Sequence, residues 1–123
     1  MQGYQISKVL SNFPEIYKNY IGLRNINKLP TQKKFITGTF LITNINKHWI
    51  TIYRHDSGYE IFDPFGRRNI EEIKKKLPIY IKKNFELQGQ QVQGQWPFYF
   101  VKVDQGSGSI SFKSRCFLFL QKK

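Results

Sequence analysis

The sequence predicts an α+β fold: a small central sheet with flanking helices in a single domain, 1–123. Two short runs rich in Ile, Tyr, Phe and Thr, His48–Arg54 and 59–62, are parted by His55-Asp56-Ser57-Gly58, a strand–turn–strand pattern. Apolar residues recur at helical spacing on either side of it, within 5–20 and within 69–83. Apolar content is 40% and aromatic content 16%, enough for one packed core in 123 residues and too much for a disordered chain.

The elements follow in order. In 5–20, Ile6, Val9, Leu10, Phe13, Ile16, Tyr17 and Tyr20 keep a period near 3.6, and Pro14 predicts a break near Phe13. The polar stretch 21–34, with its Asn and Lys residues and Pro30, reads as a loop into the sheet. The β-branched and aromatic stretch 35–43 reads as a central strand, and Asn44-Ile45-Asn46-Lys47 as the turn into His48. Asp56-Ser57-Gly58 is turn chemistry, so His48–Arg54 and 59–62 should pair as an antiparallel hairpin. Asn69 suits a helix N-cap with Glu72 three residues on. Ile70, Ile73, Leu77, Tyr80 and Ile81 then follow at helical spacing, with Lys74, Lys75, Lys76, Lys82 and Lys83 outside. Pro78 should kink or split that helix after Leu77, and 85–88 reads as a further strand.

Charge and cysteine usage narrow the classes. The formal net charge is +12, from 20 basic and 8 acidic residues. A basic surface of this kind can make non-specific DNA contacts through phosphate neutralisation. A coding bias toward AT-rich codons explains the same excess, because 15 Lys, 15 Ile and 8 Asn stand beside 5 Arg and no Ala. No apolar run approaches 18 residues and no charged-then-apolar leader opens the chain, so neither a membrane partner nor export is expected. Cys116 is the one cysteine, which excludes an intrachain disulfide and suits a reducing, intracellular compartment. A Cys-rich zinc site is excluded too. His48 and His55 have no metal-ligand spacing, so no metal and no cofactor is expected.

His48 starts one strand of the predicted hairpin and Asp63 follows the next, so the two should meet at one rim of the sheet. A carboxylate there can orient an imidazole, which can activate a nucleophile. The plain alternative is an edge histidine beside a turn-forming Asp-Pro. His48-Trp49 opening one strand and Asp63-Pro64-Phe65-Gly66 closing the next resemble the cysteine peptidases of the adenain and SUMO-protease clan. They are most similar to the adenovirus-type proteases and their relatives in large DNA viruses and Maverick/Polinton-type transposons. The resemblance spans roughly residues 10–94. It implies a papain-like, adenain-like core, incomplete on its C-terminal side, with 95–123 a divergent tail.

The resemblance also implies roles: His48 the general base, Asp63 its orienting acid, a Gln donating to the oxyanion and a Cys as nucleophile. The family places Cys seven positions after Gln, with Gly next. Val92-Gln93-Gly94 matches the Gln motif, but the corresponding nucleophile position holds Phe100. Counted back from Cys116, the Gln position holds Ser109, and Cys116 is followed by Phe117 where the family has Gly. Gln93 and Cys116 are therefore the oxyanion and nucleophile candidates without sharing one register.

Two functions stay open. One is a cysteine endopeptidase processing a protein or polyprotein substrate in a host nucleus, cytoplasm or virion. The other is an inactive, basic relative of that fold serving as a nucleic-acid or protein-binding module. An unrelated small α+β binding protein is a third. Oligomeric state is not legible in the residues.

Overall fold

Alternation along His48–Arg54 sorts the molecule into two layers about one sheet. The structure, a computed structural model, describes residues 3–45, 47–63 and 71–89. Its five strands are β1 (Tyr20–Arg24), β2 (Phe40–Ile45), β3 (His48–Arg54), β4 (Tyr59–Asp63) and β5 (Phe85–Gly89), hydrogen-bonded in that order. The inner pairs β2–β3 and β3–β4 are antiparallel, and the outer strands β1 and β5 run parallel to their neighbours. Short helices beside a mixed sheet with an antiparallel centre make the chain α+β, as the residue pattern predicts.

Leu41, Ile45, Ile50, Ile52, Tyr59 and Ile61 share one face of the sheet, where Ile73, Leu77 and Ile81 cover them in a continuous core. Those three come from α3 (Glu71–Lys74), the turn after it, and α4 (Ile79–Lys82). Pro78 is the N-cap of α4 with extended backbone, so the helical stretch is split where proline removes a donor. Asn69, the expected cap, lies outside the described residues. On the opposite face lie Phe40, Trp49 and Tyr53. There α1 (Gly3–Leu10) packs with Gly3 against Leu23 and Trp49, and Ser7 hydrogen-bonds Tyr20 at 3.2 Å. Helix α2 (Pro14–Tyr17) follows the break at Phe13 that Pro14 imposes. Ile6, Leu10 and Ile16 are the buried positions of these two helices. Among the described residues no helix is long and apolar enough to cross a membrane.

Four sequence expectations are corrected, two of them at element ends. Tyr20 opens β1 and does not close the helical stretch 5–20. Asn44 and Ile45 are the last residues of β2, which leaves only 46–47 of the expected turn 44–47. The stretch 35–43 is not one strand: Gly38 holds φ +87° as the third residue of a turn closed by Thr39 N–H to Ile36 O, and β2 starts only at Phe40. Positive φ at the third position is the glycine-requiring feature of a type II turn. Phe35 instead plugs the core from outside the sheet, fully buried and edge-on to Tyr59 at 5.5 Å. The loop expected over 21–34 begins as strand β1. Asn25 then caps a 3₁₀ turn, Ile26–Lys28, by accepting from Asn27 N–H at 2.8 Å. Gly22 at φ +108° sits where the β1–β2 register slips between Tyr20 and Leu23.

The hairpin end is held by Asn84 from outside and by a contact between its own two strands. Asn84 accepts from Tyr59 N–H through its backbone carbonyl and donates its side-chain amide to Ser57 O. Arg54 lies over the Tyr59 ring at 4.8 Å and hydrogen-bonds its hydroxyl. Tyr80 reaches from α4 to donate to Pro30 O, tying the loop after β1 to the helical layer.

Candidate active site

His48 enters the sheet from a two-residue connection. Ile45 and His48 are the last paired residues of β2 and β3, so only positions 46 and 47 lie between them. Lys47 holds φ 68°, a left-handed conformation that a non-glycine residue adopts at a cost of roughly 1–2 kcal/mol. That backbone sets the direction in which His48 starts β3. His48 is half-buried and projects to the face of Ile50 and Ile52, since residues two apart along a strand share a face.

Asp63 ends β4 and is completely buried. The register of the paired residues Thr51–Phe62 and Ile52–Ile61, continued by one step, sets Asp63 opposite Ile50. Asp63 thus lies on the same face as His48, at the same end of the sheet, one diagonal step away. Diagonal neighbours on antiparallel strands have Cα atoms about 7–8 Å apart, within joint reach of an imidazole and a carboxylate. Both residues are engaged with other groups. A fully buried carboxylate is tolerated only when its charge is met by hydrogen bonds or a cation, which is the environment an orienting acid needs.

β5 adds a third feature. It runs parallel to β4 with Gly89 paired to Asp63, so its last described residue stands at the rim that carries His48 and Asp63. Gln93 is four residues further on, at most about 14 Å of extended chain. Gln93 and Cys116 lie outside the described residues, as do Pro64, Phe65 and Gly66 of the second motif. Of the four candidates, His48 and Asp63 are among the described residues, on one face and at one end of adjacent strands.

A second histidine–carboxylate pair escaped the sequence reading. At the opposite rim His55 Nε2 is 3.2 Å from Glu60 Oε1; the Glu60 side chain is 8% exposed and that of His55 42%. Tyr53 stands edge-on to His55 with ring centroids 4.8 Å apart. The signal was present: His55 closes the hairpin turn by donating its N–H to Gly58 O at 2.7 Å, and Glu60 pairs with Tyr53 across the strands. A histidine just outside a tight turn falls beside the second residue of the returning strand. Among the described residues no three His, Cys, Asp or Glu gather as a metal site would require. No family model, curated protein or solved structure matches the chain.

Proposed function

We propose that the chain is a cysteine endopeptidase of the adenain type, built on a papain-like core, in which His48 is the general base and Asp63 its orienting acid. The observation that carries this reading is the shared placement of the two: adjacent strands, one face, one rim, with the carboxylate buried. The resemblance carried by His48-Trp49 and Asp63-Pro64-Phe65-Gly66 supports it independently.

In this mechanism Asp63 holds one imidazole nitrogen of His48 and leaves the other to take the proton of a thiol, for which Cys116 is the one candidate. The thiolate attacks the scissile carbonyl carbon, and its oxygen takes up the negative charge with Gln93 as donor. The imidazolium returns its proton to the leaving amine. Water, deprotonated by His48, then hydrolyses the thioester. Activity is expected to be weak, because Phe117 follows Cys116 and the Gln93 to Cys116 step departs from the family's spacing.

The charge distribution favours a second reading, the inactive basic relative that binds nucleic acid or protein. Beyond Asp63 there are 12 basic and 4 acidic residues, against 8 and 4 up to it, and Lys75, Lys76 and Lys83 stand exposed around α3 and α4. Alkylation by iodoacetamide across pH 5 to 9, in the parent chain and in His48→Ala, separates the two. Fast alkylation below pH 7 that vanishes in His48→Ala, with cleavage of a peptide substrate, supports the peptidase. An ordinary thiol is mostly protonated there, so slow alkylation indifferent to His48 removes the enzyme. The module reading then requires duplex DNA binding that weakens steeply as salt rises.

A further inference from the structure

A cleft of about 440 Å³ opens at the same end of the sheet as His48, between the end of β1 and the start of β3. Leu23, Ile26 and the Trp49 indole form its apolar wall, and Asn25, Asn44 and Arg24 supply polar groups. Its position follows from the register: Asn44 pairs with Trp49 one step from the pair Ile45–His48. His48 and Trp49 are consecutive in a strand, so the imidazole and the indole stand on opposite faces of one rim. Gly3 braces the wall, since a Cβ there would lie 2.6 Å from Leu23 Cδ1 and 3.6 Å from the indole.

The lining carries one cation and no acid. Arg24 is exposed and, among the described residues, makes no ion pair. Strand β1 is a sheet edge, with no strand paired to its outer side among the described residues. An open edge offers alternating N–H and C=O groups that a second extended backbone can pair with and a phosphodiester chain cannot. An apolar wall, a free guanidinium and an open strand edge together describe a partner: an extended peptide with a large apolar residue beside an acidic one.

We propose that this cleft binds an extended peptide segment, seating its apolar side chain on Trp49, Leu23 and Ile26 and its neighbouring carboxylate on Arg24. As a substrate site it rests on the peptidase reading, with the peptide running past the rim where His48 stands; as a binding site it does not.

The test uses the whole chain and fluorescein-labelled, amidated hexapeptides that carry Leu-Asp, Leu-Asn or Leu-Lys at their centre, followed by anisotropy and, separately, by cleavage. A single solvent-accessible ion pair alters affinity by about fivefold at most, so the Leu-Asp peptide should bind up to about fivefold more tightly than Leu-Asn. Arg24→Glu should invert the order in favour of Leu-Lys, which a merely structural arginine would not do. Should Arg24→Glu fail to fold by circular dichroism, Arg24→Gln serves, and is expected to erase the preference. Equal affinity for all three peptides, a ranking unchanged in a folded Arg24 variant, or displacement of Leu-Asp by oligothymidylate at lower concentration than by unlabelled peptide overturns the proposal. Arg24-dependent binding without cleavage upholds this inference and removes the peptidase. Cleavage indifferent to Arg24 does the reverse.

Discussion

Replacing Phe35 and Ile36 one at a time distinguishes a turn from a strand before β2. Were 35–43 one strand, alternation would set Ile36 on the face of Phe40 and Ile42, both buried, and Ile36→Ala would cost about 2–5 kcal/mol. The Gly38 turn instead leaves Ile36 60% exposed, so its truncation should stay within about 0.5 kcal/mol. Phe35 is 0% exposed and packs edge-on against Tyr59 with planes at 62°, so Phe35→Ala should cost about 3–5 kcal/mol. Domain stabilities are about 5–15 kcal/mol, so Phe35→Leu, costing less, is the safer variant for an equilibrium measurement. Urea unfolding followed by far-ultraviolet circular dichroism at 25 °C gives each difference, provided the m-value is unchanged. A loss above about 2 kcal/mol in Ile36→Ala, or below about 1 kcal/mol in Phe35→Ala, refutes the turn.

Three further outcomes are expected. Burial, reinforced by Tyr59, pushes the Tyr80 hydroxyl up to about 12 from 10.0, partly offset by Arg54. The folded state therefore holds that proton more tightly than the unfolded chain. Its contribution is complete below pH 10 and is lost as pH rises through about 12; Tyr80→Phe should flatten the alkaline fall in stability by one proton and cost about 1 kcal/mol at neutral pH through its lost bond to Pro30 O. At Gly58 an added Cβ would lie 2.8 Å from the Asn84 side chain and 2.9 Å from its carbonyl oxygen, so Gly58→Ala should cost about 1–3 kcal/mol, read as a lowered midpoint in urea. A double-mutant cycle on His55→Gln and Glu60→Gln at pH 5.5 should return a coupling of about 0.5–1 kcal/mol, modest because His55 is 42% exposed; zero coupling would show the 3.2 Å contact to be energetically idle.

Local chemistry made a large part of this molecule legible. The hairpin of β3 and β4 follows from period-two alternation around Asp56-Ser57-Gly58, because register errors there would expose Ile50, Ile52 and Ile61 together. Pro14 and Pro78 divide the helical stretches where a missing N–H and a blocked preceding residue require it. The shared rim of His48 and Asp63 is a consequence of the same alternation, since the first residue of one strand and the last of its antiparallel neighbour lie at one end.

The remainder was decided by partners distant in the chain. Tyr20-Ile21-Gly22-Leu23-Arg24 is a weak strand by composition, with a glycine at its centre, and becomes β1 because β2 supplies its hydrogen bonds twenty residues away. Phe35 continues a β-like run in sequence, yet Tyr59 and the core reward it more as a plug than as a strand residue, and Gly38 permits the turn. The parallel placement of β5, which returns the chain to the rim of Asp63, depends on where α3, the turn after it and α4 dock Ile73, Leu77 and Ile81. Propensity acts over a few residues at tenths of a kcal/mol each, whereas burial acts between residues tens of positions apart at several. Short-range pattern therefore wrote the hairpin and the position of its His48–Asp63 rim, and long-range burial chose the edges, the plug and the cleft around it.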